Sequence, residues 1–130
     1  MVEPHRFAVT VYYEDTDMGG IVYHANYLKF IERARSALVR GLGLDQNALR
    51  EGGTVFVVRR IDAEFLAPAR LDDALEVVTE IVAATGARLS LAQAVRRDGA
   101  DLFNARVEIV AADPARGRPR RLPRELLAAT

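Results

Sequence analysis

Residues 24–40 read HANYLKFIERARSALVR, and this stretch decides the fold. Tyr27, Phe30, Ile31, Ala34 and Leu38 recur at i, i+3, i+4, i+7 and i+11, which is one face of an α-helix. Lys29, Glu32, Arg33, Ser36 and Arg40 lie mostly off that face, and Gly41 and Gly43 supply stop signals beyond it. Around this helix the pattern is that of strands. Phe7–Tyr13, FAVTVYY, is β-branched and aromatic. Residues 55–65 alternate apolar with Arg60, Asp62 and Glu64, although Arg59 breaks the apolar series, and Pro68 closes the run. Leu75–Ala83, Leu89–Val95 and Leu102–Val110 are three more strand segments, linked by the turn signals Thr85-Gly86 and Asp98-Gly99. Links this short require antiparallel neighbours, because a parallel crossover needs a dozen residues or more. The expected order is therefore a strand, one long helix, a loop to Gly53 and a four-stranded meander, with a last helical turn over Arg124–Ala128. A helix with one apolar face must bury it, and the sheet is the available partner. The fold class expected is α+β, an antiparallel sheet covering a single helix.

Composition narrows the chemistry. The chain has 130 residues, 50% of them hydrophobic, enough for one domain spanning 1–130 with a core of its own. It has no cysteine, which excludes a disulfide scaffold, a zinc knuckle and a thiol nucleophile. Eighteen basic residues balance 18 acidic ones, so no net field draws the molecule to nucleic acid. The exception is the tail, 113–130, where Arg116, Arg118, Arg120, Arg121 and Arg124 face only Asp113 and Glu125. Such a run is either a solvated surface or a contact for phosphate groups or an anionic membrane. No apolar run approaches a membrane span, and MVEPHR has no signal-peptide core. We expect a cytoplasmic protein without a transmembrane segment.

Ser36 and Ser90 are the only serines, and neither stands in a G-x-S-x-G turn. His5 and His24 are the only histidines, too few for a His-rich metal site. What remains is the stretch Tyr13-Glu-Asp-Thr-Asp17-Met-Gly-Gly20-Ile-Val-Tyr-His24-Ala-Asn-Tyr27. It runs from acidic residues through a glycine pair into the start of the helix. A helix N-terminus offers free N–H groups and partial positive charge, which can stabilise an oxyanion. A carboxylate beside it can activate water or attack a carbonyl. The same pattern also fits an acidic partner for the helix dipole, a structural His24, and half-buried Tyr13, Tyr23 and Tyr27 with hydrogen-bonded tips.

At these residues the sequence resembles the hotdog-fold acyl-CoA thioesterases. Tyr12 to Leu28, YYEDTDMGGIVYHANYL, carries the likeness. Phe30-Ile-Glu-Arg-Ala-Arg35, Phe56 to Pro68 and Leu71-Asp-Asp extend it over roughly residues 6–112. It is similar in particular to the branch associated with the Tol-Pal envelope system, related to 4-hydroxybenzoyl-CoA thioesterase. The resemblance implies a five-stranded antiparallel sheet wrapped around one long helix. It also implies a homodimer, often doubled to a homotetramer, with the active site at the dimer interface. It places the catalytic carboxylate on Asp17 and the carbonyl-polarising backbone N–H at His24, with Tyr13 lining the site. Gly20 would allow the backbone close to the ligand. Phe56, Val57 and Val58 would flank the acyl-pantetheine arm, and Arg88 would meet a CoA phosphate. The implied substrate is an acyl-CoA or an acyl-carrier protein, and no metal or redox cofactor is implied.

Two other functions fit parts of the pattern. One is a non-catalytic acyl-CoA or acyl-carrier binding partner of an envelope system. The other is a magnesium-dependent phosphoryl-transfer enzyme using Asp15 and Asp17, which the expected antiparallel meander disfavours.

Overall fold

The helix forms where its apolar stripe requires. The computed structural model describes residues 3–129, and α1 spans His24–Gly41 with Tyr27, Phe30, Ile31, Ala34 and Leu38 all buried. Each large apolar side chain taken out of water contributes about 1.5–3 kcal/mol. The helix ends in a Schellman arrangement. The Leu44 N–H donates to Val39 O at 3.3 Å and the Gly43 N–H to Arg40 O at 3.0 Å, with Gly43 at φ +87°. One cation lies on the inner face. Burial lowers the pKa of Arg35, with Glu32 opposing, and its guanidinium donates to Gln93 Oε1 at 3.0 Å.

The remaining elements are β1 (His5–Thr10), α2 (Gln46–Glu51), β2 (Val55–Phe65), β3 (Ala74–Thr85), β4 (Arg88–Arg97), β5 (Ala100–Asp113), β6 (Arg118–Pro119) and α3 (Arg124–Leu127). The sheet is antiparallel throughout, in the order β1-β3-β4-β5-β2, with β6 added to the end of β5. This is the hotdog arrangement, a curled antiparallel sheet around one long helix.

Four details differ from the sequence expectation. The meander holds for β3, β4 and β5, but β2 lies beyond β5, in register from Val55↔Ala112 to Phe65↔Phe103. The cause is the connection 66–73. It makes no hairpin: the N–H groups of Leu66 and Ala67 donate to Leu102 O, and Ala69 O accepts from the Val22 N–H. The first strand stops at Thr10, because Tyr13–Asp15 closes into a 3₁₀ turn in which the Asp15 carboxylate accepts the Tyr12 N–H at 2.9 Å. The loop to Gly53 contains α2, which Asp45 caps by accepting from the Asn47 and Ala48 N–H groups. The tail adds the short strand β6. Arg59, the break in the apolar series, is the extra residue of a β-bulge between Val58↔Ile109 and Arg60↔Glu108.

The connection 66–73 is fastened at its far end by Asp73. Its Oδ2 accepts from the Arg70 N–H at 2.8 Å and from Arg97 Nη1 at 2.7 Å. Desolvation works against the carboxylate, but the Arg70 N–H and the Arg97 guanidinium outweigh it and hold Asp73 below its ordinary value. A carboxyl group depressed on folding stabilises the fold above its unfolded pKa, about 3.9. That contribution disappears as pH falls through the lower folded value. We therefore expect the melting temperature of Asp73→Asn to lie below that of wild type at pH 6 and the gap to close towards pH 2. Parallel melting curves with a constant gap would remove this role.

Candidate active site

The loop that precedes α1 is folded back on itself. Thr16 bridges Val22, the Asp17 N–H donates to Ile21 O at 2.9 Å, and the Tyr23 N–H donates to Asp15 O at 2.9 Å. Asp17 and His24 therefore sit on the two arms of one tight loop at the start of the helix. The connection 66–73 packs alongside, through the Ile21–Arg70 bridge and the Val22 N–H to Ala69 O bond of 2.8 Å.

Asp17 is exposed. Its Oδ1 accepts from the Gly19 N–H at 2.8 Å, and its Oδ2 has no protein partner among the described residues. A Cβ on Gly19 would stand 3.2 Å from Asp17 Oδ1, so this is where the chain needs a close backbone approach. Gly20 serves differently: at φ +76° it turns the chain, with open space around its Cα.

α1 starts without a conventional cap. Its N-cap, Tyr23, makes no side-chain cap bond, and no acidic residue occupies its first turn. The Asn26 N–H reaches Tyr23 O at 2.8 Å. The N–H groups of His24 and Ala25 have no protein acceptor among the described residues. Exposed donors at the positive end of an 18-residue helix suit an oxygen that gains negative charge.

The rings around His24 define one wall. The imidazole lies 4.6 Å from the Tyr23 ring and 6.2 Å, edge-on, from Phe65. Phe65 packs on Phe103 at 5.0 Å, and Phe103 stacks on Tyr27 at 5.0 Å. The Tyr27 hydroxyl accepts from the Ala69 N–H at 3.1 Å. Of the three tyrosines, Tyr27 is the one whose tip is fixed by a hydrogen bond. Tyr13 is 83% exposed, with no side-chain partner among the described residues.

Asp15 and Asp17 face different surroundings. Asp15 is 3% exposed, and its two oxygens accept from the Tyr12 N–H and from Asn26 Nδ2, each at 2.9 Å. The two carboxylates do not converge on a common point through free oxygens.

Within one chain the structure gathers Tyr13, Asp17, Gly20 and His24 on the loop and helix start, with Phe65 beside them. Phe56, Val57 and Val58 sit at the other end of β2. Paired residues share a face, so Phe56 and Val58 point inward with Ala111 and Ile109, while Val57 points outward with Val110. Arg88 pairs with Val110 at that same end, and its Nε lies 2.8 Å from Glu108 Oε1. Three participants escaped the sequence reading: Asp15 as a buried acceptor, Asn26 as its donor, and Phe65 as the ring against His24. Asn26 had a signal, since a short polar side chain inside a helix needs a reason to be there.

Among the described residues no helix is long and apolar enough to cross a membrane. The Thioesterase-like superfamily profile matches residues 11–130. The acyl-CoA thioester hydrolase YbgC of Escherichia coli O6:H1 is 46% identical over 124 residues, spanning 95% of this chain and 92% of that protein. The acyl-CoA thioesterase YbgC of Haemophilus influenzae is 41% identical over 95% of this chain and 91% of its own. A crystal structure of a probable thioesterase from Bartonella henselae superposes with a TM-score of 0.87 at 40% identity, covering 92% of this chain and 99% of that one. On fold, motif and relatives alike, the chain belongs to the thioesterase-like superfamily.

Proposed function

We propose that this protein hydrolyses acyl-CoA thioesters to the free acid and CoA. The observation that carries the reading is the pair of unpartnered N–H groups of His24 and Ala25 at the start of α1, next to the loop that bears the exposed Asp17 carboxylate. Relatives named as acyl-CoA thioester hydrolases support the substrate class.

The thioester oxygen accepts from the His24 N–H, which polarises the carbonyl and stabilises the tetrahedral oxyanion. Two routes use Asp17. It takes a proton from water, whose oxygen attacks the carbonyl carbon, and collapse breaks the C–S bond to leave the acid and CoA thiolate. Alternatively it attacks the carbon itself and expels the thiolate, and water then cleaves the mixed anhydride. A thiol is far more acidic than an alcohol or amine, so the thiolate leaves without a strong general acid. Neither route calls on a metal or redox cofactor.

The site is completed by a second copy. β2 is a long edge strand whose inner face is only partly covered, with Val58 43% and Phe65 55% exposed. Such an edge is a template for another strand. Antiparallel self-pairing runs the two β2 strands in opposite directions, so the Phe56 end of one subunit comes to the Phe65 end of the other. It thereby carries Phe56–Val58 to the His24 end, where they flank the acyl-pantetheine arm. Arg88, 57% exposed on its side chain, then serves a CoA phosphate. Val58→Lys, at a position the monomer leaves exposed, is expected to shift the mass in solution from an even multiple of 14.3 kDa towards 14.3 kDa, with folded circular dichroism and lost turnover. A monomeric wild type with full activity would sink this arrangement.

The assignment to the Tol-Pal branch, a cytoplasmic location, further doubling to a tetramer and an acyl-carrier protein as alternative acyl donor belong to the same proposal. The Tyr12–Leu28 motif, through the family resemblance it carries, supports the branch, the tetramer and the alternative acyl donor. The test of function is thiol release from short, long and aromatic acyl-CoAs without added metal. Release from at least one class is expected. Stoichiometric binding without release would favour a binding partner instead.

A further inference from the structure

We infer that the buried Asp15–Asn26 pair is the positioning element of this site, holding the Asp17 loop in register with the free N–H groups of α1. The inference rests on the reading above. Asp15 precedes Asp17 by two residues, and Asn26 follows His24 by two, so the pair spans both arms of the loop. Asp15 is 3% and Asn26 8% exposed. Their link, Asn26 Nδ2 to Asp15 Oδ1, is 2.9 Å long. Asp15 makes two more bonds to the same frame: Oδ2 accepts the Tyr12 N–H, and its backbone oxygen accepts the Tyr23 N–H, both at 2.9 Å. One residue thus ties together the entering chain, the N-cap of α1 and the third residue of its first turn.

This explains why the helix start is left uncapped. A side chain at position 23 able to cap would take the Ala25 N–H, one of the two donors left free at the helix start. The loop is held instead through an Asn side-chain amide, so the backbone N–H groups of His24 and Ala25 stay available to substrate. Asp15 and Asn26 are positioning residues, with no contact to the reacting atoms. A displacement of about 1 Å at a site of this kind costs on the order of 10²-fold in rate.

The pair can be exchanged. Asp15→Asn alone turns an N–H donor towards Asn26, which must swing its amide over to accept through Oδ1, and the charge-assisted bond is lost. Asn26→Asp alone sets two carboxylates against each other. The double variant Asp15→Asn/Asn26→Asp restores a complementary bond with its polarity reversed, while the amide oxygen introduced at position 15 still accepts the Tyr12 N–H. Steady-state thiol release from the best acyl-CoA is measured for wild type, Asp17→Asn, both single variants and the exchange, with thermal melts of each. Each single variant is expected to lose kcat by roughly 10- to 100-fold with KM changed less than about threefold. The exchange should recover most of that kcat. A merely structural bond would move the melts and leave kcat of the folded fraction unchanged.

Single variants with wild-type kcat, or a folded exchange variant that recovers none, overturn the inference. If Asn26→Asp does not fold, Asp15→Asn and the exchange still decide it. Wild type that depends on Asp17 but not on Asp15 overturns this inference alone. Wild type and Asp17→Asn turning over equally overturn the catalytic reading, and this inference with it.

Discussion

Asp17→Asn is expected to lower kcat by about 10²- to 10⁴-fold, the range in which a positioned acid–base group contributes, while leaving fold and subunit mass unchanged. The local geometry explains both halves. Asparagine has nearly the same volume, and its Oδ1 can keep the 2.8 Å bond from the Gly19 N–H. The residue is exposed, so no buried partner is orphaned. What is lost is an oxygen able to take a proton from water or to attack carbon. An amide does neither at neutral pH. KM should change little, because the Oδ2 end of Asp17 acts on water or carbon rather than gripping the acyl-CoA. The measurement is thiol release under saturating substrate, with circular dichroism and a melt as controls. A folded Asp17→Asn with wild-type kcat would assign the chemistry to another group.

Phe103→Ala should be the most destabilising of these changes, and its effect should reach the site. Phe103 is fully buried on β5, stacked on Tyr27 and against Phe65. Deleting a buried phenyl costs about 3–5 kcal/mol through lost transfer energy and the cavity left behind. Against a total of about 5–15 kcal/mol, that is a large share of the stability. A fall in melting temperature of roughly 10–20 °C follows for a domain of this size. The two rings released are those that locate the site: Phe65 lies against His24, and Tyr27 holds the Ala69 N–H through its hydroxyl. Turnover of the folded variant at about 15 °C, well below its expected melt, should therefore drop as well. A melting temperature within about 3 °C of wild type, less than one kcal/mol on this scale, would show that neighbouring side chains collapse into the cavity.

Much of this architecture is local in origin and legible in the chain. The stripe Tyr27, Phe30, Ile31, Ala34 and Leu38 marks α1, and each member is buried. Thr85-Gly86 and Asp98-Gly99 mark the β3–β4 and β4–β5 hairpins. Arg59 shows in the sequence only as a break in the apolar series, and pairing with β5 turns that break into a bulge. Leu102–Val110 and Leu75–Ala83 are one or more residues short of β5 and β3 at their ends, where pairing rather than composition sets the limit. Asp45 carried the signal for α2, but a helix of six residues has too short a period to read.

What the sequence determined alone is the principal elements and the candidate chemistry: one amphipathic helix, alternating strands, an acidic loop with a glycine pair at the helix start, and no cysteine. Those features follow from contacts between near neighbours, whose spacing is written in the chain. Tertiary structure decided where β2 lies, beyond β5, because the connection 66–73 has no turn geometry of its own and takes its path from bonds to Val22, Tyr27 and Leu102. It also separated Asp15 from Asp17, burying one against Asn26 and leaving the other in solvent. Two carboxylates with the same local chemistry receive different roles because burial and hydrogen-bond partners depend on how distant segments close around them.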